Sequence, residues 1–67
     1  MISNKEICDA IDEYVRGRNG ARNRAILKRR IIDGITLESI AEEFDISVTQ
    51  VKRILNKNLP LVNRLSP

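Results

Sequence analysis

The 67-residue sequence predicts an all-α fold, and three observations carry that prediction. Apolar residues recur at helical spacing in four stretches. A residue able to cap a helix stands before each stretch: Ser3, Asn19, Thr36 and Ser47. No segment alternates apolar and polar residues as a half-buried strand would. The spacing predicts four helices, about 4–16, 20–33, 37–44 and 48–57, in one domain over residues 1–57 with a tail over 58–67.

The first helix opens with Ser-Asn-Lys-Glu at Ser3–Glu6, a capping-box pattern. Ile7, Ile11, Tyr14 and Val15 form its apolar face, with Cys8 at the edge. Gly17 and Gly20, around Arg18-Asn19, break it. Asn19 is then the expected cap of the second helix, whose buried side is built from Ala21, Ala25, Ile26, Leu27, Ile31 and Ile32. Gly34 is expected to end that helix with positive φ.

Thr36 to Asn56 is the stretch around which the rest is organised. Thr36 caps the third helix, and Glu38 sits in its first turn, near the positive end of the helix dipole. A short turn, Asp45-Ile46-Ser47, leads into the fourth helix, where Ser47 and Gln50 form a second capping-box pattern. Leu37, Ile40, Ala41, Phe44, Ile46, Val51, Ile54 and Leu55 fall where two crossing helices must bury apolar groups. Ala41 is small, as a steep crossing requires. This is the pattern of a helix-turn-helix, with Thr49, Gln50, Lys52 and Arg53 facing outward. In the tail, Leu59, Leu61, Val62 and Leu65 are apolar, but Pro60 interrupts a continuing helix. Packing on the core, packing against a second copy and fraying all remain open for this segment.

Composition narrows the chemistry. The chain has no histidine, no tryptophan and one cysteine, which excludes an intrachain disulfide and a Cys/His zinc site. A general base suited to neutral pH is missing, and Cys8 has no histidine partner, so an enzyme is not expected. Neither a cofactor nor a metal is expected. The acids Glu38, Glu42, Glu43 and Asp45 read as a solvated face rather than a Mg²⁺ site. No run of about 20 apolar residues is present to span a membrane, and the first ten residues lack a leader's apolar core. A lone thiol fits a reducing cytoplasm. The net charge of +3 is unevenly spread: −3 over residues 1–15, +7 over 16–30, −5 over 31–46 and +4 over 47–67. Two basic blocks of this kind attract a polyanion.

An α-helix fits the major groove of B-DNA, so double-stranded DNA is the expected partner. Tyr14 and Phe44 are the only aromatic residues, too few for a single-strand stacking platform. The candidates for reading bases are Val48, Thr49, Gln50, Lys52, Arg53 and Asn56. Arg53 is suited to a bidentate contact with guanine and Val48 to a thymine methyl. Arg29, Arg30, Thr36, Ser47 and Lys57 are candidates for phosphates, with pairing to Glu38 or Glu42 as an alternative for Arg30.

The segments Ile26-Leu27-Lys28-Arg29-Arg30 and Asp33 to Phe44 resemble region four of bacterial sigma factors, which reads the −35 promoter element. The likeness covers roughly Arg22 to Lys57. It extends to short sigma-like helix-turn-helix proteins of bacterial and phage genomes, including relatives of the phage middle-operon activators. Arg24, Ile26, Leu27, Arg30, Gly34, Ile40, Ala41, Phe44, Ser47, Val51 and Lys52 are among the residues that carry it. Asp45 stands where the family usually has glycine, and Arg29 where it has leucine.

The resemblance implies a transcription regulator of phage or mobile-element origin, short of a complete sigma factor, with Val48, Thr49, Lys52 and Arg53 facing bases or nearby phosphates. Because one small domain makes few base contacts, a homodimer is expected, with Cys8, Tyr14 or the tail at its interface. RNA polymerase is a further possible partner. The competing class is a protein-interaction module that contacts polymerase, another regulator or a defence nuclease.

Overall fold

The computed structural model describes residues 3–65, with the side chains of Leu59, Val62 and Leu65, three apolar residues of the tail, outside the description. Ser66 and Pro67 of the tail, and Met1 and Ile2 of the leader reading, lie outside the described residues. The described residues form five helices: α1 (Asn4–Tyr14), α2 (Gly20–Ile31), α3 (Leu37–Phe44), α4 (Val48–Lys57) and α5 (Leu59–Leu65). The all-α class and the helix-turn-helix are both present.

The fifth helix is the main departure from expectation. Asn58 closes α4: its N–H reaches the carbonyls of Ile54 and Leu55, and its side-chain amide donates to Ile54 O at 2.8 Å. Pro60 then stands in the first turn of α5, where a missing N–H leaves no intrahelical bond unmade. Proline ends one helix and begins another. Leu61, 7% exposed, carries the segment back onto the core.

Two hydrophobic clusters share α2 as a wall. Ile26 belongs to one, with Ile40, Ala41, Val51 and Ile54. Its neighbour Leu27 belongs to the other, with Ile7, Ile11, Val15 and Leu61. Leu55 packs against both. Phe44 and Ile46 are half-buried around the first cluster, while Ala21, expected inside, is exposed. Tyr14, placed by periodicity on the apolar face of α1, is 62% exposed on its shoulder.

The link between α1 and α2 also differs from expectation. α1 stops at Tyr14 instead of continuing to residue 16, because Val15 turns extended (φ −94°, ψ 96°). Arg24 Nη1 donates to the Val15 carbonyl at 2.7 Å, tying the end of α1 to α2. Gly20 makes room for this clamp: a Cβ there would lie 2.9 Å from Arg24 Nη1. Asn19 does not cap α2 through its side chain, since its backbone (φ −106°, ψ 25°) is not the extended form that aims a side chain at the helix N–H groups. Instead Gly20 N–H donates to Gly17 O at 3.0 Å, closing a tight turn. α2 ends at Ile31, two residues short of the expected end, and Gly34 adopts the expected positive φ (66°) in the loop that follows.

Candidate nucleic-acid interface

α3 and α4 are joined by a turn whose backbone bonds are all local. Asp45 is left-handed (φ 55°, ψ 47°); its N–H donates to Glu42 O, and Ile46 N–H donates to Ala41 O at 3.0 Å. That pair of bonds is a Schellman ending, usually built on glycine, and Asp is among the few residues that tolerate its geometry. Ile46 then packs on the cluster that holds Ala41. Ser47 Oγ accepts from Gln50 N–H at 3.1 Å, while Gln50 Oε1 accepts from Ser47 N–H at 3.0 Å. The capping box is therefore complete, and it fixes where α4 begins. Thr36 Oγ1 caps α3 in the same manner, accepting from Ser39 N–H at 3.2 Å.

Helical geometry then decides which α4 side chains face outward. Val51, Ile54 and Leu55 are the core side of the helix. At 3.6 residues per turn, Thr49, Arg53 and Asn56 lie on the opposite ridge, flanked by Lys52 on one side and Lys57 on the other. All five are exposed. Among the described residues, neither Lys52 nor Arg53 meets a carboxylate.

Other candidates are placed differently. Val48 is half-buried and packs against the core cluster, on the edge of the outward ridge. Gln50 is exposed, but its carbonyl oxygen is occupied by the capping box. Arg29 is exposed and held by two acids, with Nη2 2.9 Å from Glu43 and Nη1 3.4 Å from Asp33. The hydrogen bond and charge of Glu43, then those of Asp33, raise its pKa above the ordinary arginine value. Arg30 pairs with neither Glu38 nor Glu42; its Nη1 donates to Ile35 O at 3.0 Å. The acid partner of α3 goes to Arg29 instead, one residue earlier on the helix. Lys57, at the far end of α4, lines a groove with Tyr14 and Arg64.

Sequence reasoning missed the Arg24 clamp and this groove. The clamp left a trace in Gly20, one helical turn before Arg24. The groove joins residues 14 and 64 and left none. No group of three or more possible metal ligands occurs among the described residues.

This geometry agrees with a comparison against protein families, in which residues 17–58, more than half of the chain, match the helix-turn-helix domain of resolvase. The chain belongs to that helix-turn-helix family. Membership supports DNA binding through the α3–α4 unit, and the matched segment spans α2 to α4 while leaving α1 and α5 outside. Comparison with curated proteins and with solved structures gives no match. No helix among the described residues is long and apolar enough to cross a membrane.

Proposed function

We propose that this protein is a sequence-specific double-stranded DNA binder that regulates transcription, with α4 in the major groove. The observation that carries the proposal is the exposed ridge Thr49–Arg53–Asn56, with Lys52 beside it, on a helix whose start is fixed by a complete capping box. Side chains held at a defined angle to a groove can distinguish base pairs by their donors and acceptors. Thr49, Lys52, Arg53 and Asn56 read bases in this scheme. Val48 offers a methyl contact from the edge of the ridge, and Gln50 retains only its amide N–H₂ for a base. Ser47, Thr36, Arg30 and Lys57 meet phosphates and set the register. Arg29 contributes there only by exchanging a carboxylate for a phosphate.

The reading extends to a cytoplasmic regulator of phage or mobile-element origin, on the likeness to sigma region four and the short proteins that share it. It is a binding module rather than an enzyme, and RNA polymerase is the neighbour that a −35-type site would supply. One α4 touches few bases, so two copies on paired half-sites complete the proposal.

Selection from random duplex oligomers at two salt concentrations tests it, with Arg53→Ala alongside. An enriched motif is expected, and the variant should lose about 1–3 kcal/mol of discrimination at one guanine. Affinity should fall steeply with salt, as phosphate contacts require. Failure to enrich any motif, with weak binding indifferent to Arg53, would overturn the proposal in favour of a protein-interaction module.

A further inference from the structure

α1 and α5, which lie outside the family-matched segment, form with the C-terminal end of α4 a surface set apart from the ridge Thr49–Arg53–Asn56. Tyr14 is a large hydrophobic side chain left 62% exposed to solvent. With Lys57, Asn58, Pro60, Leu61 and Arg64 it lines an open groove of about 270 Å³. Arg64 lies over the Tyr14 ring, 5.9 Å from its centre, and its Nη1 donates to the phenol oxygen at 3.4 Å. An exposed tyrosine supported by arginine over an apolar floor has the composition of an interface core.

The charges on this surface identify what covers it. α1 turns Ile7 and Ile11 to the core. One of its shoulders carries Asp12, bonded to Lys28 of α2 at 2.8 Å. The other carries Ala10 and Tyr14, and helical spacing puts the exposed Glu6 and Glu13 next to them on the outer side. Arg16 Nε donates to the Glu13 backbone carbonyl at 3.2 Å, but among the described residues neither the Glu6 nor the Glu13 carboxylate pairs with a basic side chain, and neither Lys57 nor Arg64 pairs with a carboxylate. The surface therefore has an acidic edge on α1, an apolar middle and a basic edge at Arg64 of α5. A half-turn about an axis through the apolar middle places each acidic edge on the basic edge of a second copy. Such self-complementarity is what a two-fold interface demands.

We infer that this face is the interface of a homodimer, with Tyr14 near the axis and Glu6 and Glu13 of each copy meeting Arg64 of the other, while Lys57 at the rim of the groove stays with the DNA phosphates. The inference rests on the DNA-binding proposal only for its purpose, which is to carry two α4 helices to paired half-sites. The dimer itself stands or falls separately.

Sedimentation across the micromolar range tests it with wild type, Arg64→Glu, Glu13→Arg and Tyr14→Ala. Wild type should show a concentration-dependent dimer, and each variant alone should associate about tenfold more weakly or worse. An equimolar mixture of Arg64→Glu and Glu13→Arg should regain part of the lost association, because two of its cross-pairs are again of opposite charge. Thermal melts confirm that each variant is folded; where Arg64→Glu is not, Tyr14→Ala alone carries the test. A wild type that stays monomeric at every concentration overturns the interface, as does a dimer indifferent to Tyr14→Ala. A monomer that still selects a DNA motif leaves the DNA reading intact, and a dimer that selects none overturns only that reading.

Discussion

The cluster shared by α2, α3 and α4 joins residues within the span 26–54, whereas the cluster beneath α1 and α5 joins Ile7 to Leu61. The first is closed by short connections whose geometry is written locally: Gly34 with positive φ, the Asp45 turn, the caps of Thr36 and Ser47. The second forms only when both ends of the chain return to α2. Closing a longer loop costs more entropy, so the second cluster depends more on what surrounds it. The contrast separates a helix-turn-helix unit, which carries the proposed DNA-reading ridge, from a layer that braces it and adds a surface of its own.

The sharpest way to break this contrast is at Ile40, fully buried in the first cluster. Ile40→Ala should cost about 2–5 kcal/mol, a large share of the stability of so small a domain. A urea titration should show cooperative loss of the whole fold, together with loss of DNA binding. Leu61→Ala should cost less, about 2 kcal/mol, since the side chain keeps some exposure and lies on a short terminal helix. Amide exchange in this variant should quicken in α1 and α5 before it does in α3 and α4. Equal acceleration everywhere would show that the two clusters unfold as one unit.

Smaller effects sharpen the local half of the comparison. Ser47→Ala removes the side-chain acceptor for Gln50 N–H and should lower stability by about 1 kcal/mol in a thermal melt. Asp45→Gly should go the other way, raising stability by a few tenths to about 1 kcal/mol, because glycine adopts the left-handed turn without a Cβ penalty. A fall in melting temperature for that variant would mean that the Asp45 side chain supports the turn.

Much of the fold was legible because capping and helical periodicity act over three or four residues. Ser47-Val48-Thr49-Gln50 states its own hydrogen bonds, and Gly34 its own backbone. The spacing of Ile40, Val51 and Ile54 marked a buried face without reference to anything distant. Asn19 failed as a cap because a glycine-bounded turn held its backbone in a form that no side chain could override. Tyr14 kept helical spacing with Ile7 and Ile11, yet periodicity does not tell the centre of a face from its shoulder. The candidate site divided in the same way: the exposed ridge on α4 followed from register alone, whereas the engagement of Arg29 depended on where Glu43 came to rest.

By itself the sequence determined the all-α class, the limits of α3 and α4, the turn between them and the outward side of α4, since each follows from interactions along a few consecutive residues. Only the tertiary structure decided that the segment after Pro60 is a helix folded onto the core, that Arg24 clamps Val15, and that Tyr14 meets Arg64 beside Lys57. Those outcomes join residues up to 50 positions apart. Such pairings depend on how much apolar surface each arrangement buries, and that is a property of the assembled chain.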